Sequence, residues 1–583
     1  MIVKMCLWFF SCKLFHFYTQ MNTDKKGVRL IAEICQKKGI RKAVFSPGSR
    51  SAPLVIAFSQ IAEIECIVIP DERVAGYFAL GMAQQLREPV VVVCTSGTAV
   101  LNLAPAVCEA YYQYVPLLVL TADRLEGAAM NGENQAIEQS GVMEEFTITE
   151  RDIDGDAETK EEIDEVAEVM LYSFEILQKT QMPAHINIRM DEPLYMLQEV
   201  HKPFPSDIFN RQPENDIFEM RNRDVIQLTD QLVNCRSILV VVGSHYPDRG
   251  ILKNLSRLSA RQDVVILTET LSNTVSENFI SNYDSCLALI PEVEEGKYKP
   301  DMIVTMGNTI LSKRLRKFFI KNKPTYYCDV GKYNDKNFFQ LERCIYSLGE
   351  EEVLECLLKS RENKDSNLRS SWKELDTKSK RQFASFRSQL PFCDLKVFET
   401  LVQSFPANAN IQYGNSTPIR YANFFDHRND VAVNANRGTS GIDGCVSTAA
   451  GAAYANGKLT VIIVGDVSFF YDSNALWNNY LSTGLRIVII NNSGGNIFRL
   501  IDGPNRVSDF EKFFETRHNL TAKHLASMYD LPYYICARQN ELEEALETFY
   551  EPSDKPKILE IKTDGDLSAT VYRQYFESLS SSK

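Results

Sequence analysis

The sequence lacks the cysteine and histidine spacings that bind metals or build disulfide frameworks. None of its 14 cysteines forms a Cys-x-x-Cys pair, and its seven histidines contain no His-Glu-x-x-His motif. A structural zinc site is therefore not expected. Cysteines such as Cys35 and Cys94 lie in apolar or helical runs, which is typical of buried free thiols in a reducing compartment. The sequence thus argues against a secreted disulfide scaffold and predicts a cytoplasmic protein.

Long hydrophobic runs are also missing. No segment reaches the ~18 uninterrupted apolar residues that a transmembrane helix needs, so no membrane insertion is expected. The first twenty residues are apolar and aromatic, but Lys13 and His16 interrupt them and no small-residue cleavage site follows. We expect residues 1–20 to be a poorly ordered extension, with the folded chain beginning near Met21.

The sequence also lacks an excess of positive charge. The 63 lysines and arginines are outnumbered by 76 aspartates and glutamates, which gives a net charge of -13. This balance argues against non-specific binding to nucleic acid or to an anionic membrane, although it permits a locally basic pocket. The hydrophobic fraction of 44% is that of an ordinary globular chain, and 583 residues correspond to about three domains at roughly 100–200 residues each.

Short apolar, β-branched runs alternate with amphipathic stretches along the whole chain. This alternation predicts an α/β fold with mostly parallel sheets and helices on both faces of each sheet. Three such blocks are expected, at 21–200, 215–365 and 385–583. A proline-rich stretch at 190–216 separates the first two, and a highly charged stretch at 359–383 is predicted to be an exposed helix and linker.

Polar side chains follow two apolar runs in the third block. The run TVIIVGD ends at Asp466, and RIVIINNSGG carries Asn492 just after the next run. Because the carboxyl ends of neighbouring parallel strands face one crevice, these side chains are expected to lie close together. Carboxylate and amide oxygens suit Mg²⁺, and the glycines that follow let backbone atoms approach a ligand closely. The pattern therefore predicts a magnesium and phosphate site.

A carboxylate also follows an apolar run in the first block, where IECIVIP leads into Asp71-Glu72-Arg73 at the start of a helix. Together with the Asp466 and Asn492 pattern, this resembles the thiamin-diphosphate (ThDP) enzymes. The resemblance implies that Asp466, Asn492 and the carbonyl of Gly494 hold Mg²⁺ or Mn²⁺ on the cofactor diphosphate. It implies that Glu72 hydrogen-bonds the aminopyrimidine ring and takes part in catalysis. Val467 stands where the general family has glycine.

Five further motifs narrow the resemblance to the 2-succinyl-5-enolpyruvyl-6-hydroxy-3-cyclohexene-1-carboxylate (SEPHCHC) synthase family. These motifs are FSPGSRSAPL (45–54), TSGTAVLNLAPAVCEA (95–110), TADRLEGAAMNGENQAI (121–137), YGNSTPIRYA (413–422) and NRGTSGIDG (436–444). The resemblance implies three ThDP-type domains: pyrimidine-binding, central and diphosphate-binding. It also implies decarboxylation of 2-oxoglutarate and 1,4-addition of the succinyl carbanion to isochorismate, in menaquinone or phylloquinone biosynthesis. Leu125 departs from the Ala-Asp-Arg-Pro found in many members.

Arginines in these motif loops fit that chemistry, because guanidinium is the best fork for planar carboxylates and both implied substrates are dianions. The positions that match substrate-binding residues of the family are Ser49, Arg50, Arg124, Asn134, Gln135, Lys313, Arg314, Ser416, Arg420 and Arg437. Ser49, Arg50 and Gln135 join Glu72 as the implied catalytic residues. Ile442 matches the aliphatic residue beneath the cofactor, and Ile497 and Phe498 would complete an apolar wall around it. The resemblance further implies a homo-oligomer, at least a dimer and more often a tetramer, with active sites at the subunit interface.

Two alternatives stay open at this point. Another ThDP carboligase, such as an acetolactate-synthase-like enzyme, predicts FAD in the central domain and fewer pocket arginines. No firm dinucleotide fingerprint occurs near VVVGSHYPDRG (240–250). An inactive ThDP-fold binding protein is the second alternative, and the presence of Glu72, Asp466 and Asn492 counts against it.

Overall fold

A computed structural model describes residues 20–200, 203–210, 218–330, 337–342, 344–346, 348–501 and 503–581. The predicted extension at 1–20 lies outside the described residues, apart from Gln20 in the first strand. None of the helices in the described part of the chain combines the length and apolar character that crossing a bilayer requires.

The first block forms a six-stranded sheet in which all strands run parallel, in the order β3-β2-β4-β5-β7-β6. Two short antiparallel strands, β1 and β8, pair beside it. The strands of this block are β1 (Gln20–Thr23), β2 (Lys42–Phe45), β3 (Glu65–Val68), β4 (Val90–Cys94), β5 (Leu117–Asp123), β6 (Thr149–Asp154), β7 (Ala184–Arg189) and β8 (Leu197–Val200). Its helices are α1 (Lys26–Lys37), α2 (Ala52–Ser59), α3 (Glu72–Leu86), α4 (Thr98–Gln113) and α5 (Lys160–Thr180).

The middle block forms a five-stranded parallel sheet in the order β10-β9-β11-β12-β13. Its strands are β9 (Ile238–Val242), β10 (Val264–Thr268), β11 (Met302–Met306), β12 (Tyr326–Val330) and β13 (Cys344–Tyr346). Its helices are α6 (Phe218–Val233), α7 (Arg249–Leu258), α8 (Tyr283–Leu289), α9 (Lys313–Lys321) and α10 (Glu350–Lys359), and α11 (Leu368–Arg387) follows them.

The last block forms a second six-stranded parallel sheet in the order β15-β14-β16-β17-β19-β18. Its strands are β14 (Asn410–Tyr413), β15 (Ala432–Ala435), β16 (Thr460–Gly465), β17 (Leu485–Asn491), β18 (Tyr533–Cys536) and β19 (Lys557–Lys562). Its helices are α12 (Asp394–Ser404), α13 (Thr417–Ala422), α14 (Cys445–Asn456), α15 (Asp466–Tyr471), α16 (Ile497–Leu500), α17 (Lys523–Met528), α18 (Gln539–Phe549) and α19 (Gly565–Ser580).

These three sheets confirm the predicted α/β class. Continuous apolar runs such as VVVVC of β4 are buried along their whole length, because helices cover both faces of a parallel sheet. The strands of the three sheets lie within 42–189, 238–346 and 410–562. The domain limits 21–200, 215–365 and 385–583 remain predictions.

The first and last blocks pack through α3 and α14. A Cβ atom on Gly81 would lie 1.9 Å from the carbonyl oxygen of Thr448, and one on Gly451 would lie 2.0 Å from that of Phe78. Only glycine allows two helix backbones to approach so closely. This crossing fixes the strand ends of the first sheet relative to those of the last sheet.

Helix α11 is less exposed than the sequence predicted. One face buries Trp372, Leu375 and Phe383 together with Asp376, while most of the other charged residues lie toward solvent. The indole nitrogen of Trp372 donates to the carbonyl of Tyr298 at 3.1 Å. The prediction was wrong for the buried face because the run of charges hid apolar residues spaced at helical intervals.

Candidate active site

Asp466 lies where two neighbouring strands of the last sheet end. Strands β16 and β17 run parallel in register, and Asp466 begins α15 directly after β16. Its carboxylate is only 2% exposed, and Oδ2 accepts a hydrogen bond from the backbone nitrogen of Gly494 at 3.0 Å. The structure therefore brings the two polar motifs of the third block into contact.

Asn492 is oriented by a buried carboxylate that sequence reasoning missed. Its side-chain nitrogen donates to Oδ2 of Asp394 at 2.9 Å, and the hydroxyl of Thr563 donates to Oδ1 of Asp394 at 2.6 Å. Burial raises the pKa of Asp394, and the hydrogen bonds from Thr563 and Asn492 oppose that rise. With its nitrogen engaged, Asn492 keeps its amide oxygen as the group that can bind a cation. No motif surrounds Asp394 that could have identified it.

The residues present fit a divalent cation that is also held by a phosphate ligand. Asp466 forms no ion pair with a lysine or arginine in the described residues, and His518 Nε2 lies 3.3 Å from it without a hydrogen-bond partner. No group of three or more acidic, histidine or cysteine side chains in the described chain could hold a metal by itself. One carboxylate, one amide oxygen and one backbone carbonyl make a partial oxygen shell, which suits Mg²⁺ because this ion keeps water and phosphate ligands.

Gly494 needs to be glycine in this turn. Its φ of +154° is a conformation that other residues rarely adopt, and a Cβ atom would lie 2.8 Å from the carbonyl oxygen of Glu515. The backbone at Gly494 can therefore reach both Asp466 and a bound ligand.

The apolar candidates lie on the segments around this turn. The hydroxyl of Ser468 in α15 donates to the carbonyl of Ile442 at 2.8 Å, which ties the Ile442 segment to the helix that begins at Asp466. Ile497 and Phe498 are half-buried in α16, and the ring of Phe498 packs against Phe514 at a centroid distance of 5.9 Å.

Glu72 begins α3 as expected and is half-buried. Asp71 caps the helix by accepting from the backbone nitrogen of Val74, which leaves the carboxylate of Glu72 outside the capping contact. The side chain of Asn102 donates to Oε2 of Glu72 at 3.4 Å. Among the described hydrogen bonds, none joins Glu72 to Asp466 or to the turn at 491–494.

Three loops of the first block converge at the ends of β2, β4 and β5. A Cβ atom on Gly48 would lie 2.2 Å from Cβ of Thr95, and one on Gly97 would lie 2.9 Å from the carbonyl of Gln135. The hydroxyl of Ser96 donates to the same carbonyl at 2.8 Å. These contacts bring the candidate loops at 48–50, 95–97 and 134–135 together.

The polar candidates on these loops differ in exposure and in the hydrogen bonds that they form within the chain. Ser49, Asn134 and Gln135 are exposed. Arg50 is 6% exposed and donates to the carbonyl of Met190 at 3.1 Å and to Glu192 at 2.9 Å. Arg124 donates from Nε to the carbonyl of Asn134 at 3.0 Å and from Nη1 to Glu133 at 2.8 Å. The arginines thus also shape the loops on which they lie.

Arg420 and Arg437 form a cationic pair. In the described part of the chain, Nε of each side chain is buried and has no hydrogen-bond partner. Burial lowers the pKa of Arg437, and the like charge of Arg420 lowers it further. The side chain of Arg437 donates weakly to Asn415 Oδ1 at 3.3 Å. Two close guanidinium groups with unused buried donors make a site for an anion.

The middle block adds cations beside this pair. Lys313 and Arg314 begin α9 and are exposed, and the guanidinium of Arg314 lies 4.4 Å from the ring centroid of Phe576. The charges of Arg314 and Arg420 both lower the pKa of Asp284, so the two arginines approach the same carboxylate. Ser416 is half-buried with a φ of +76° just before α13.

Glu109 is a second buried carboxylate that sequence reasoning missed, although it lies within the motif at 95–110. It accepts from the backbone nitrogens of Gly438 at 2.6 Å and Thr439 at 2.7 Å. A Cβ atom on Gly438 would lie 2.4 Å from the carbonyl oxygen of Glu109. Glu109 therefore fixes the loop that follows Arg437 against the first block.

Comparison with known proteins finds relatives that cover nearly the whole chain. Residues 25–142 match the family described as thiamine pyrophosphate enzyme, N-terminal TPP binding domain. A SEPHCHC synthase of Flavobacterium johnsoniae is 36% identical over 559 residues, which cover 94% of this chain and 98% of that protein. Those of Christiangramia forsetii and Porphyromonas gingivalis are 34% and 32% identical, over 95% and 96% of this chain and 98% of each relative.

Proposed function

The chain belongs to the SEPHCHC synthase family of ThDP enzymes, and from that premise we propose that it decarboxylates 2-oxoglutarate and adds the succinyl carbanion to isochorismate, releasing SEPHCHC and carbon dioxide. This reaction is a step of menaquinone or phylloquinone biosynthesis. Near-full-length similarity to SEPHCHC synthases favours it over the acetolactate-synthase-like and inactive alternatives.

The observation that carries the proposal is the pairing of Arg420 with Arg437. Each has a buried Nε that finds no hydrogen-bond partner among the described residues, and the two like charges repel each other. Such an arrangement is costly unless an anion offsets it. Pyruvate has no distal carboxylate that could offset these two charges, whereas 2-oxoglutarate has one.

The cofactor is ThDP, which supplies an electron sink for the carbanion that remains when a 2-oxo acid loses carbon dioxide. Asp466, the amide oxygen of Asn492 and the carbonyl of Gly494 would hold Mg²⁺ or Mn²⁺ on its diphosphate. Glu72 would share a proton with the pyrimidine N1′. Ile442 would support the cofactor from below, with Ile497 and Phe498 on the apolar side.

The protein binds and orients the two dianions with its own side chains. We assign the distal carboxylate of 2-oxoglutarate to Arg420 and Arg437, with Ser416 beside them. Lys313 and Arg314 would act mainly on isochorismate. The converging loops of the first block would contribute Ser49, Arg50, Arg124, Asn134 and Gln135 to substrate binding, with Ser49, Arg50 and Gln135 nearest the chemistry.

The enzyme is proposed to work as a homodimer at least, and as a tetramer by family resemblance, with each active site at a subunit interface. Glu72 has no described contact with the Asp466 side of the site in its own chain. Exposed apolar side chains lie near Glu72, namely Leu101 beside Asn102 and Tyr471 beside Arg73. Burial of such side chains against a second subunit is a common source of dimer stability.

The proposed location is the cytoplasm. None of the 12 cysteines in the described residues forms a disulfide, and many are buried, which suits a reducing compartment.

The test of the function is product identification. The purified protein is incubated with ThDP, Mg²⁺, 2-oxoglutarate and isochorismate, and the product is identified by mass. We expect SEPHCHC and one equivalent of carbon dioxide. Carbon dioxide release without a product that contains the isochorismate ring would instead indicate a different carboligase.

A further inference from the structure

Two buried carboxylates, Glu269 and Asp284, lie behind the cations of the anion site. Building on the proposed function, we propose that Glu269 is a positioning residue for substrate binding. It fixes the start of α9 against α13, and its charge competes with the substrate dianion for Arg437. The binding of 2-oxoglutarate is therefore coupled to protonation of Glu269.

Glu269 holds the segment that leads into α9. It follows β10 and is 4% exposed. Its oxygens accept from the backbone nitrogen of Leu311 at 2.9 Å and 2.8 Å and from that of Ser312 at 3.1 Å, and the hydroxyl of Tyr283 also donates to it. Because α9 begins at Lys313, these bonds set the position of its first two cations.

The neighbouring residue ties the same carboxylate to the last block. The backbone nitrogen of Thr270 donates to the side chain of Asn423 at 2.9 Å, and its hydroxyl donates to the carbonyl of Ala422 at 3.2 Å. Ala422 ends α13, which carries Arg420. The segment 269–270 is thus one link between the middle-block cations and the helix that carries Arg420.

Asp284 completes this link. It accepts from the hydroxyl of Ser312, and Ser312 caps α9 by accepting from the backbone nitrogen of Leu315 at 2.9 Å. Burial raises the pKa of Asp284, and Arg314 and Arg420 oppose that rise. Asp284 therefore offsets these two arginines, while Glu269 favours the charged form of Arg437.

The charge state of Glu269 depends on pH near neutrality. Burial raises its pKa to about 7, Asp284 adds to the rise, and the hydrogen bonds from Tyr283 and Leu311 oppose it. In the described chain, the other charged or titratable groups around this cluster include Arg437, Arg314, Arg420, Tyr572, Glu109 and Cys445.

The sign of the effect follows from these charges. Below pH 7 Glu269 is mostly neutral, so it does not weaken the attraction between Arg437 and the substrate carboxylate. Above pH 7 it is ionised and offsets Arg437, so a dianion should bind more weakly as pH rises.

Asp263 offers a matched control at the other end of the same strand. It precedes β10, is buried, and accepts from Nε and Nη2 of Arg261 at 2.9 Å and 2.8 Å. Five strand residues separate it from Glu269, a distance of roughly 17–20 Å at ~3.3 Å per residue. A loss caused only by damage to the middle sheet would therefore appear in D263N as well.

The experiment compares wild type, E269Q, E269A and D263N as holoenzymes between pH 6 and pH 8.5. We expect the KM for 2-oxoglutarate to rise with pH in wild type and D263N and to stay flat in E269Q, which remains neutral but keeps a hydrogen-bond acceptor. E269A loses both the charge and the hydrogen-bond acceptor, so its KM should also be independent of pH but about tenfold above that of E269Q, a change of ~1.4 kcal/mol, with kcat and ThDP affinity nearly unchanged.

Succinate affinity, followed by thermal shift, gives the same comparison without turnover. An equal pH dependence of succinate affinity in wild type and E269Q overturns the inference, as does a loss in D263N equal to that in E269A. If E269A does not fold, E269Q against wild type decides the result. Absence of turnover in wild type instead overturns the proposed function, so the two failures are distinguishable.

Discussion

Arg420 and Arg437 lie beside each other because they follow neighbouring parallel strands of one sheet. Strand β14 pairs with β15 in register, with Tyr413 opposite Ala435, and each arginine lies a few residues beyond its strand end. Burial and this proximity hold the pKa of Arg437 below its ordinary value. The pair therefore places two like charges side by side, and a substrate carboxylate can offset their repulsion.

Removing either arginine should weaken use of 2-oxoglutarate. Breaking one side of a buried ion pair costs ~3–5 kcal/mol, so with partial solvent access we expect R420A or R437A to lower kcat/KM about 10²–10³-fold. ThDP affinity should change little. Steady-state kinetics with varied 2-oxoglutarate measure the effect.

Arg428 is the matched control for these variants. It is exposed in the same block and pairs with Asp430, so R428A should retain wild-type kinetics. K313A, at the start of α9, should show a milder loss that appears mainly in isochorismate usage. Full activity in both R420A and R437A would remove the pair from substrate binding.

Glu72→Gln should slow cofactor activation. The amide keeps the shape of the carboxylate but cannot share a proton with N1′, so we expect exchange of the ThDP C2 proton to slow by at least ~10². Exchange is followed by NMR after acid quench, and ThDP binding should weaken much less. E126Q, an exposed carboxylate of the same block, serves as control. Exchange at the wild-type rate in E72Q would exclude the assigned role.

Removing a metal ligand should impair cofactor binding more than disturbing the orientation of a ligand. D466A removes the charged ligand, so ThDP binding at micromolar cofactor should be lost while the fold stays intact. D394N keeps the ligands but disturbs the hydrogen bond that orients Asn492, and we expect Mg²⁺ affinity to fall about 10–100-fold. Titration of Mg²⁺ by calorimetry measures both, with exposed D430N as control. Tight, chelator-resistant ThDP binding by D466A would contradict the assignment.

Mixing two inactive variants tests the subunit interface. If Glu72 of one subunit works with Asp466 of its partner, E72Q and D466A chains form mixed dimers with one intact site. Random pairing then restores activity at about a quarter of all sites. The chains are mixed under conditions that allow exchange and assayed afterwards. No recovery despite proven exchange would show that each site is built within one chain.

Most strands of the three sheets could be predicted because parallel strands are buried on both faces and read as apolar runs. VVVVC became β4 and TVIIVG became β16. The edge strand β6, with the sequence TERDID, was missed because it has one neighbour and few apolar residues. Edge strand β18 was missed for a similar reason: its two tyrosines are only half-buried, one on each face, and Ile535 is exposed.

The residues assigned to the site were found where a motif surrounds them, as for Asp466 and Asn492. Asp394 and Glu269 could not be found in this way. Each acts through hydrogen bonds to residues far away in sequence, such as Asn492 for Asp394, and a single carboxylate after a linker or strand carries no local signature. Their importance appears only when the fold brings these segments together.

Carbon dioxide release from 2-oxoglutarate compared with pyruvate, in the presence of ThDP and Mg²⁺, tests the central claim most directly. A site whose paired arginines need a distal carboxylate should reject pyruvate, because the buried Nε groups of Arg420 and Arg437 would then gain no carboxylate to donate to. We predict at least ~10³-fold higher kcat/KM for 2-oxoglutarate. Turnover of pyruvate as efficient as that of 2-oxoglutarate would contradict the account.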